Sequence, residues 1–457
     1  MTPAPALTAV VGGWCERASR STAGGVSAGG KYHGALRRAP YLTHARGSRL
    51  WDVDGNEFID YSGASGAALL GHGHPAVLAA VTRAFERGLV ATYETPDNVE
   101  LCERICEIIP AADAVRLVNT GTEATLAAVR LARAATGRSL VLRFDGHFHG
   151  FQDVLMMGGG GRTGPGRFAA PSTPDGPGIP QAHAALVVTA PFNDRAALDA
   201  ALDAHGDDVA CVILEPVSYN QGCIPADPDW LRHLRIETAR RGIVLIFDEV
   251  LSGFRTGLGG AQEHYGVTPD LCALGKALGG GWPISALAGR RDLMDHLDPA
   301  GPVRLSGTYS GHLPAVRAAL AALDVMAEPD FYPRLLTRCE TFYTGLRALL
   351  NETELSARLQ AVGARFAIYL GTSQPVRDHL GARQHRPELA ERFCLEAWTR
   401  GLYFHLSTRR AVPMHYGVSA AHTDQDICHT LEVLQQVFAS VAAAAQSSAP
   451  RTAAGER

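Results

Sequence analysis

Three short runs, Leu140–Phe144, Ala210–Leu214 and Ile243–Phe247, are almost continuously apolar and rich in β-branched residues. A strand with one wet face alternates apolar and polar residues, so unbroken runs of this kind read as strands covered on both faces. Between them the period changes. From about Thr122 to Ala135 one helical face collects Ala124, Ala127, Ala128, Leu131 and Ala135, and Gly137 follows as a stop. Strands alternating with helices define an α/β fold, a mostly parallel central sheet flanked by helices. From about Ala321 onward, helical patterns precede a shorter apolar run, Arg365–Leu370, which reads as a smaller α+β domain.

Composition narrows the function classes. The 457 residues exceed what one hydrophobic core needs, and 46% apolar with 19% charged residues is ordinary for a water-facing protein. A net charge of −4 supplies no concentrated basic surface, so no nucleic-acid partner is expected. No stretch nears the roughly 20 apolar residues of a membrane span. Met1–Gly13 lacks a basic leader and a cleavage site, so neither membrane nor export is expected. The nine cysteines are dispersed, and Cys102 and Cys106, one turn apart, have no flanking histidine at zinc spacing. No metal is expected, and scattered thiols fit a reducing cytoplasm. Residues 1–30 and those from Ala442 onward carry no periodic apolar face and read as poorly ordered.

In an open parallel sheet the ligand sits beyond the carboxyl ends of the strands. Four loops belong there. Asn119-Thr120-Gly121-Thr122-Glu123-Ala124 runs into the helix, where a tight turn and free N–H groups make an anion site; Thr120 or Thr122 also suits a plain N-cap. Gly146-His147-Phe148-His149-Gly150 follows the Phe144 strand and offers an aromatic to a planar ligand. Its two histidines, like those of Gly71-His72-Gly73-His74-Pro75, read as loop residues rather than metal ligands. In Ile246-Phe247-Asp248-Glu249-Val250 a carboxylate follows an apolar strand, which needs a cationic or strongly donating partner or else a turn role. Leu274-Gly275-Lys276-Ala277 sets a lysine in an apolar segment, where desolvation yields a neutral, imine-forming amine unless the side chain snorkels out. Together these supply a phosphate site, a ring stacker, an acid for a pyridine nitrogen and an amine, the set that pyridoxal 5'-phosphate asks for.

At this point the chain resembles the class III aminotransferases, fold-type I enzymes of that cofactor, and within them the glutamate-1-semialdehyde aminomutase branch. The resemblance runs from about Gly24 to Ile427. It is carried by Trp51-Asp52-Val53-Asp54-Gly55, Gly121-Thr122-Glu123-Ala124, Glu215-Pro216-Val217, Phe247-Asp248-Glu249-Val250, Leu274-Gly275-Lys276 and Gly307-Thr308-Tyr309-Ser310-Gly311, with the Gly71 loop. It implies that Lys276 joins the cofactor and shuttles the proton, that Asp248 pairs with the ring nitrogen, and that Val250 packs beside the ring. It further implies Gly121 and Thr122 at the phosphate, Phe148 over the ring in place of a tyrosine, and Asn220 near the phenolic oxygen. Thr308 would reach the phosphate from a neighbouring subunit, which implies a homodimer. The expected organisation is an N-terminal segment 1–75, poorly ordered at its start, packing with the small domain. A large cofactor domain 76–320, a small α+β domain 321–440 and a poorly ordered tail 441–457 follow.

The departures fall on the substrate side. Lys31 stands where the aminomutase has a carboxylate-binding arginine, and lysine lacks the planar bidentate grip. Ser65 stands for a pocket tryptophan and Met414 for an active-site glutamate. Met157 to Gly166 is Gly-rich where the family keeps a mobile gate, a composition that a solvated connector shares. The expected reaction is therefore intermolecular transfer from a small amino donor to a keto acid, ketone or aldehyde. Intramolecular aminomutation, racemisation and a catalytically silent binding protein are the alternatives.

Overall fold

A computed structural model describes residues 6–89, 92–158, 170–407 and 411–447. Most of the Gly-rich Met157–Gly166 stretch, from residue 159, lies outside the described residues, and with it the expected gate. The central sheet has eight strands: β1 (Ala114–Val118), β2 (Leu140–Phe144), β3 (Ala170–Pro171), β4 (Val187–Ala190), β5 (Val209–Leu214), β6 (Val244–Glu249), β7 (Leu271–Leu274) and β8 (Ser285–Gly289). Side by side they run β1-β8-β7-β6-β5-β2-β4-β3. The block β7-β6-β5-β2-β4 is parallel, while β8 runs against both its neighbours and β3 against β4.

The unbroken apolar runs are explained by what covers each face. Val141, Ile213, Val244 and Ile246 pack with Ala127, Ala128, Leu131 and Ala132 of the helix Gly121–Thr136. The alternate residues Leu142, Phe144, Leu214, Leu245 and Phe247 enter the larger core with Trp230, Leu231 and Leu234 of the helix Pro228–Arg241. A period of two thus feeds two dry faces, and neither face can tolerate a polar residue without a partner. Gly137 ends the first helix in the left-handed region, with φ at 68°.

Beside two two-stranded ribbons, two smaller sheets are built from the early and late parts of the chain. In one, Leu42–Arg46, Arg49–Asp52 and Glu57–Asp60 are joined by Leu402–Tyr403, which lies parallel to Glu57–Asp60, so early and late parts of the chain share a sheet. In the other, Ala357–Val362 and Arg365–Leu370 form a hairpin, and Tyr416–Gly417 pairs with Arg365–Phe366. The poor order expected of both ends is corrected within the described residues. Ala9–Ser21 is a helix capped by the Thr8 hydroxyl, and the last helix, Asp424–Ser447, passes well beyond Ala442. Alanine is the strongest helix former, so an Ala-rich end can continue a helix without a new apolar stripe. Asp424–Gln446 also meets the length and apolar composition of a membrane span, against the sequence expectation. Its Leu434, Val437, Phe438 and Val441 are nevertheless buried in the main core.

Candidate active site

The carboxyl ends of the parallel strands open into a cleft of about 270 Å³. Gly121, Thr122, Phe148, Asn220, Asp248, Val250 and Lys276 all line it, with His149 and Glu215 beside them. Each arrives by a different strand exit. Gly121 and Thr122 start the helix after β1, Phe148 and His149 follow β2, Glu215 follows β5, Asp248 is the last but one residue of β6 and Lys276 follows β7.

At the helix start Thr120 is the N-cap, and its hydroxyl accepts from Glu123 N while Glu123 reaches back to Thr120 N at 2.9 Å. That box leaves Gly121 and Thr122 facing the cleft, so the cap and the anion site are neighbours rather than rivals. A Cβ on Gly121 would sit 2.8 Å from Val250 Cγ2. Only glycine lets this turn close on Val250.

Asp248 lies inside the strand instead of after it, because ladder pairing continues through Asp248–Ala273 and Glu249–Leu274. Its Oδ1 accepts from Val250 N at 3.1 Å and its Oδ2 meets His149 Nδ1 at 2.9 Å. Burial pushes the Asp248 carboxyl up to about 7, against the downward pull of the Val250 N–H and the Lys276 charge. Burial, then Arg143, holds His149 well below its ordinary range, so it is a neutral ring whose Nδ1–H donates. A buried acid at that level has strong donors but lacks a full counter-charge.

Lys276 sits at φ 48°, in the left-handed region. Burial pulls its amine down to about 8, opposed by Asp248 and then Glu215. Glu215 is itself pushed up to about 7, first by burial and then by Asp248. It accepts from Phe148 N and from Asn220 Nδ2, both at 2.9 Å, and so fixes the aromatic loop and the amide together. Among the described residues no group of three His, Cys, Asp or Glu is placed to hold a metal.

Four of the expected residues lie elsewhere. Thr308 is exposed in a turn and does not line the cleft. Lys31 is exposed, its ammonium on Ser27 Oγ at 2.8 Å. Ser65 is exposed at φ 56°, next to Gly66. Met414 is half-buried against the main core. Two residues of the site were not singled out by sequence. His149 reads as a loop histidine until the strand ends bring it to Asp248, 99 positions away. Glu215 stood only as a landmark, and the signal for it was an acid directly after the apolar strand β5.

The comparisons with known proteins agree with this arrangement. Residues 34–438 match the aminotransferase class-III family. The glutamate-1-semialdehyde 2,1-aminomutase 2 of Brevibacillus brevis is 39% identical over 402 residues, which is 87% of this chain and 90% of the relative. Among solved structures, an omega-transaminase from Sphaerobacter thermophilus superposes with a TM-score of 0.87 at 30% identity, over 94% of this chain and 97% of that one. The PLP internal aldimine form of the Sphingopyxis sp. MTA144 FumI protein gives a TM-score of 0.81 at 26% identity, over 95% and 97%.

The chain belongs to the class III aminotransferase family, PLP-dependent enzymes of fold type I. Its cofactor is pyridoxal 5'-phosphate. The residues present suit that group. The under-compensated Asp248 answers a cationic ring nitrogen, the Gly121–Thr122 helix start answers a phosphate, and Lys276 offers an amine of lowered basicity.

Proposed function

We propose that this protein transfers an amino group from one small molecule to a second, separate carbonyl compound, with Lys276 and Asp248 as its catalytic residues. The observation that carries the reading is the contrast inside the site. The cofactor-side residues converge in one cleft, while Lys31, Ser65 and Met414, which stand where an aminomutase grips its substrate, do not line it.

Bound in the cleft, pyridoxal phosphate supplies a reactive carbonyl and an electron-withdrawing ring. The chain's own groups do the rest. Lys276, down at about 8, has a neutral fraction near neutral pH, so its Nζ would hold the cofactor through its carbonyl carbon and, when free as an amine, can take up and return a proton. Asp248, oriented by His149 and the Val250 N–H, would hold positive charge on the ring nitrogen. Gly121 and Thr122 would anchor the phosphate, Phe148 and Val250 would flank the ring, and Asn220, held by Glu215, would serve the phenolic oxygen; all of them line the cleft. Thr308 is assigned to the phosphate of a second copy, which makes the working unit a homodimer; its exposed turn suits that role.

The test is a donor screen on the loaded enzyme, read as conversion of the bound cofactor to its amine form, then a return with keto acids, ketones and aldehydes. Conversion by a donor and recovery by an acceptor supports the reading; failure of every donor removes it. The 39% identity to an aminomutase favours a second reading, intramolecular transfer. Product formed from one substrate with no added acceptor would establish that one instead.

A further inference from the structure

We infer that His147 is a positioning residue for the cofactor's acid: its Nε2–H occupies the Nε2 lone pair of His149, which keeps that ring uncharged and leaves the negative charge of Asp248 whole for the ring nitrogen. This rests on the role given to Asp248 above.

In a neutral imidazole one nitrogen donates and the other accepts, and the partner of either one settles which. His147 Nδ1 meets the backbone N–H of Glu215 at 3.0 Å. A backbone N–H can only donate, so the neutral His147 carries its proton on Nε2. His149 is arranged in reverse. Its Nδ1–H donates to Asp248 Oδ2 at 2.9 Å, which leaves a bare lone pair on Nε2. The two ring centroids are 5.9 Å apart, with the planes inclined at 59°.

The surroundings leave the two Nε2 atoms to each other. His147 is 3% and His149 1% exposed, and neither Nε2 has a hydrogen-bond partner among the described residues. Arg143, equally buried, gives Nη2 to His147 O and leaves Nε and Nη1 in the same condition. Of these four buried atoms three are donors, and His149 Nε2 is the one acceptor. Buried polar groups find partners, so the donors converge on that lone pair. The remaining neighbours of the His147 ring cannot compete for its proton. Phe192 stands edge-on at 4.5 Å and Phe144 lies at 5.8 Å, while His379 Nδ1 is engaged by Gln221 Oε1 at 2.7 Å.

What this achieves follows from the carboxylate next door. An anion in contact with an imidazole ordinarily draws a second proton onto the ring. A charged His149 would then share Asp248 with the ring nitrogen and weaken its hold. A ring that already receives an N–H at Nε2 has no place for that proton. The groups that face the pair agree in sign. Arg143 on β2 lowers the proton affinity of both rings, and His149 and His379 add to the effect on His147. Asp248 on β6 is the anion in contact with His149, whereas Glu215, Asp145 and Asp175 act on Arg143. The backbone of Glu215 thus sets His147, His147 sets His149, and His149 sets Asp248. The loop that carries both rings is held at its far end, where Thr125 Oγ1 donates to His149 O at 2.8 Å.

The test is low-field proton NMR of the holoenzyme with isotope-labelled histidine, the signals being assigned by their loss in His147→Gln and His149→Asn. The wild type is expected to carry its protons on His147 Nε2 and His149 Nδ1, unchanged from about pH 5 to 8, where a free imidazole titrates. A His149 that gains a second proton in that range, or a His147 protonated on Nδ1, overturns the inference. Two variants then separate the relay from packing. His147→Phe keeps a ring against Phe192 and loses both nitrogens, while His147→Gln loses the ring and keeps an N–H donor. In His147→Phe the His149 signal is expected to titrate, and kcat to fall about tenfold toward acid pH with KM little changed, the loss typical of one hydrogen bond to a charged network. In His147→Gln the signal is expected to stay put and kcat to recover to within about threefold of wild type. A static His149 signal in His147→Phe, or a glutamine variant as impaired as the phenylalanine one, overturns the inference. Where His147→Phe does not fold, the wild-type tautomers decide. A neutral, static His149 in an enzyme that no donor converts sinks the transamination reading alone; donors that react while His149 titrates sink the relay alone.

Discussion

The cleft and the region beyond it are built differently. The cleft residues Gly121, Asp248 and Lys276 come from the ends of three strands of one sheet, β1, β6 and β7, each placed by the ladder beneath it. The region of Ser65, Arg365 and Met414, which does not line the cleft, comes from a turn, a hairpin and a late loop segment. A wall fixed by a buried sheet can hold a cofactor's atoms to the tolerance its chemistry needs. A region of turns can change its residues without disturbing that frame, so substrate choice is free to vary while the cofactor grip is not.

Substitutions in the two regions should therefore differ in kind. Asp248→Asn is expected to give the largest loss, about 10²- to 10³-fold in kcat with little change in KM. A loss confined to KM would mean that the acid serves binding alone. Next comes the pH dependence of stability without cofactor. Asp248 and Glu215 hold their protons to about 7 in the folded protein, against 3.8 and 4.5 ordinarily. Their folded values are raised, so the stability they contribute is full below about pH 3.8 and is lost progressively as the pH rises to about 7. That amounts to a few kcal/mol for each group, since each tenfold change in proton affinity is worth about 1.4 kcal/mol. Denaturation midpoints between pH 4 and 8 should show this decline in the apoenzyme and a shallower one in the holoenzyme, where the ring nitrogen answers Asp248. Equal slopes would show that Asp248 gains no counter-charge on loading.

Gly121→Ala tests the tightness of the sheet side. Its Cβ would meet Val250 Cγ2 at 2.8 Å. The expected cost is about 1–3 kcal/mol in unfolding free energy, with weaker cofactor retention. A change below about 0.5 kcal/mol would mean that the loop yields easily. The smallest effect belongs to Lys31→Ala, whose ammonium is exposed on Ser27. Stability should change by no more than about 0.5 kcal/mol and kcat/KM by about twofold. A tenfold rise in KM for carboxylate substrates would return Lys31 to the pocket.

What could be read without coordinates follows the same division. β2 and the strand Arg365–Leu370 lie where their apolar runs stand, because burial on both faces leaves a pattern nothing else imitates. The helix expected over Thr122–Ala135 is Gly121–Thr136, set by the Thr120 cap and the Gly137 stop. Asp248 announced its need for a donor, yet the sequence could not say that His149 would meet it, since strand order β6-β5-β2 brings them together. Arg365 sat inside an apolar run and drew no notice. That it has no carboxylate partner among the described residues is a property of the folded neighbourhood, which no local pattern records. The helix Ala9–Ser21 was missed because only Val11 on it is buried, so it leaves no apolar stripe.

The central claim is that the cofactor is held through Lys276, and this chain makes it easy to test, since Lys31 and Lys276 are its only two lysines. The loaded enzyme would be reduced with borohydride, digested and mapped by mass for the phosphopyridoxyl group. The account predicts the label on the peptide carrying Lys276 and none on Lys31. A label on Lys31, or on neither, would contradict it.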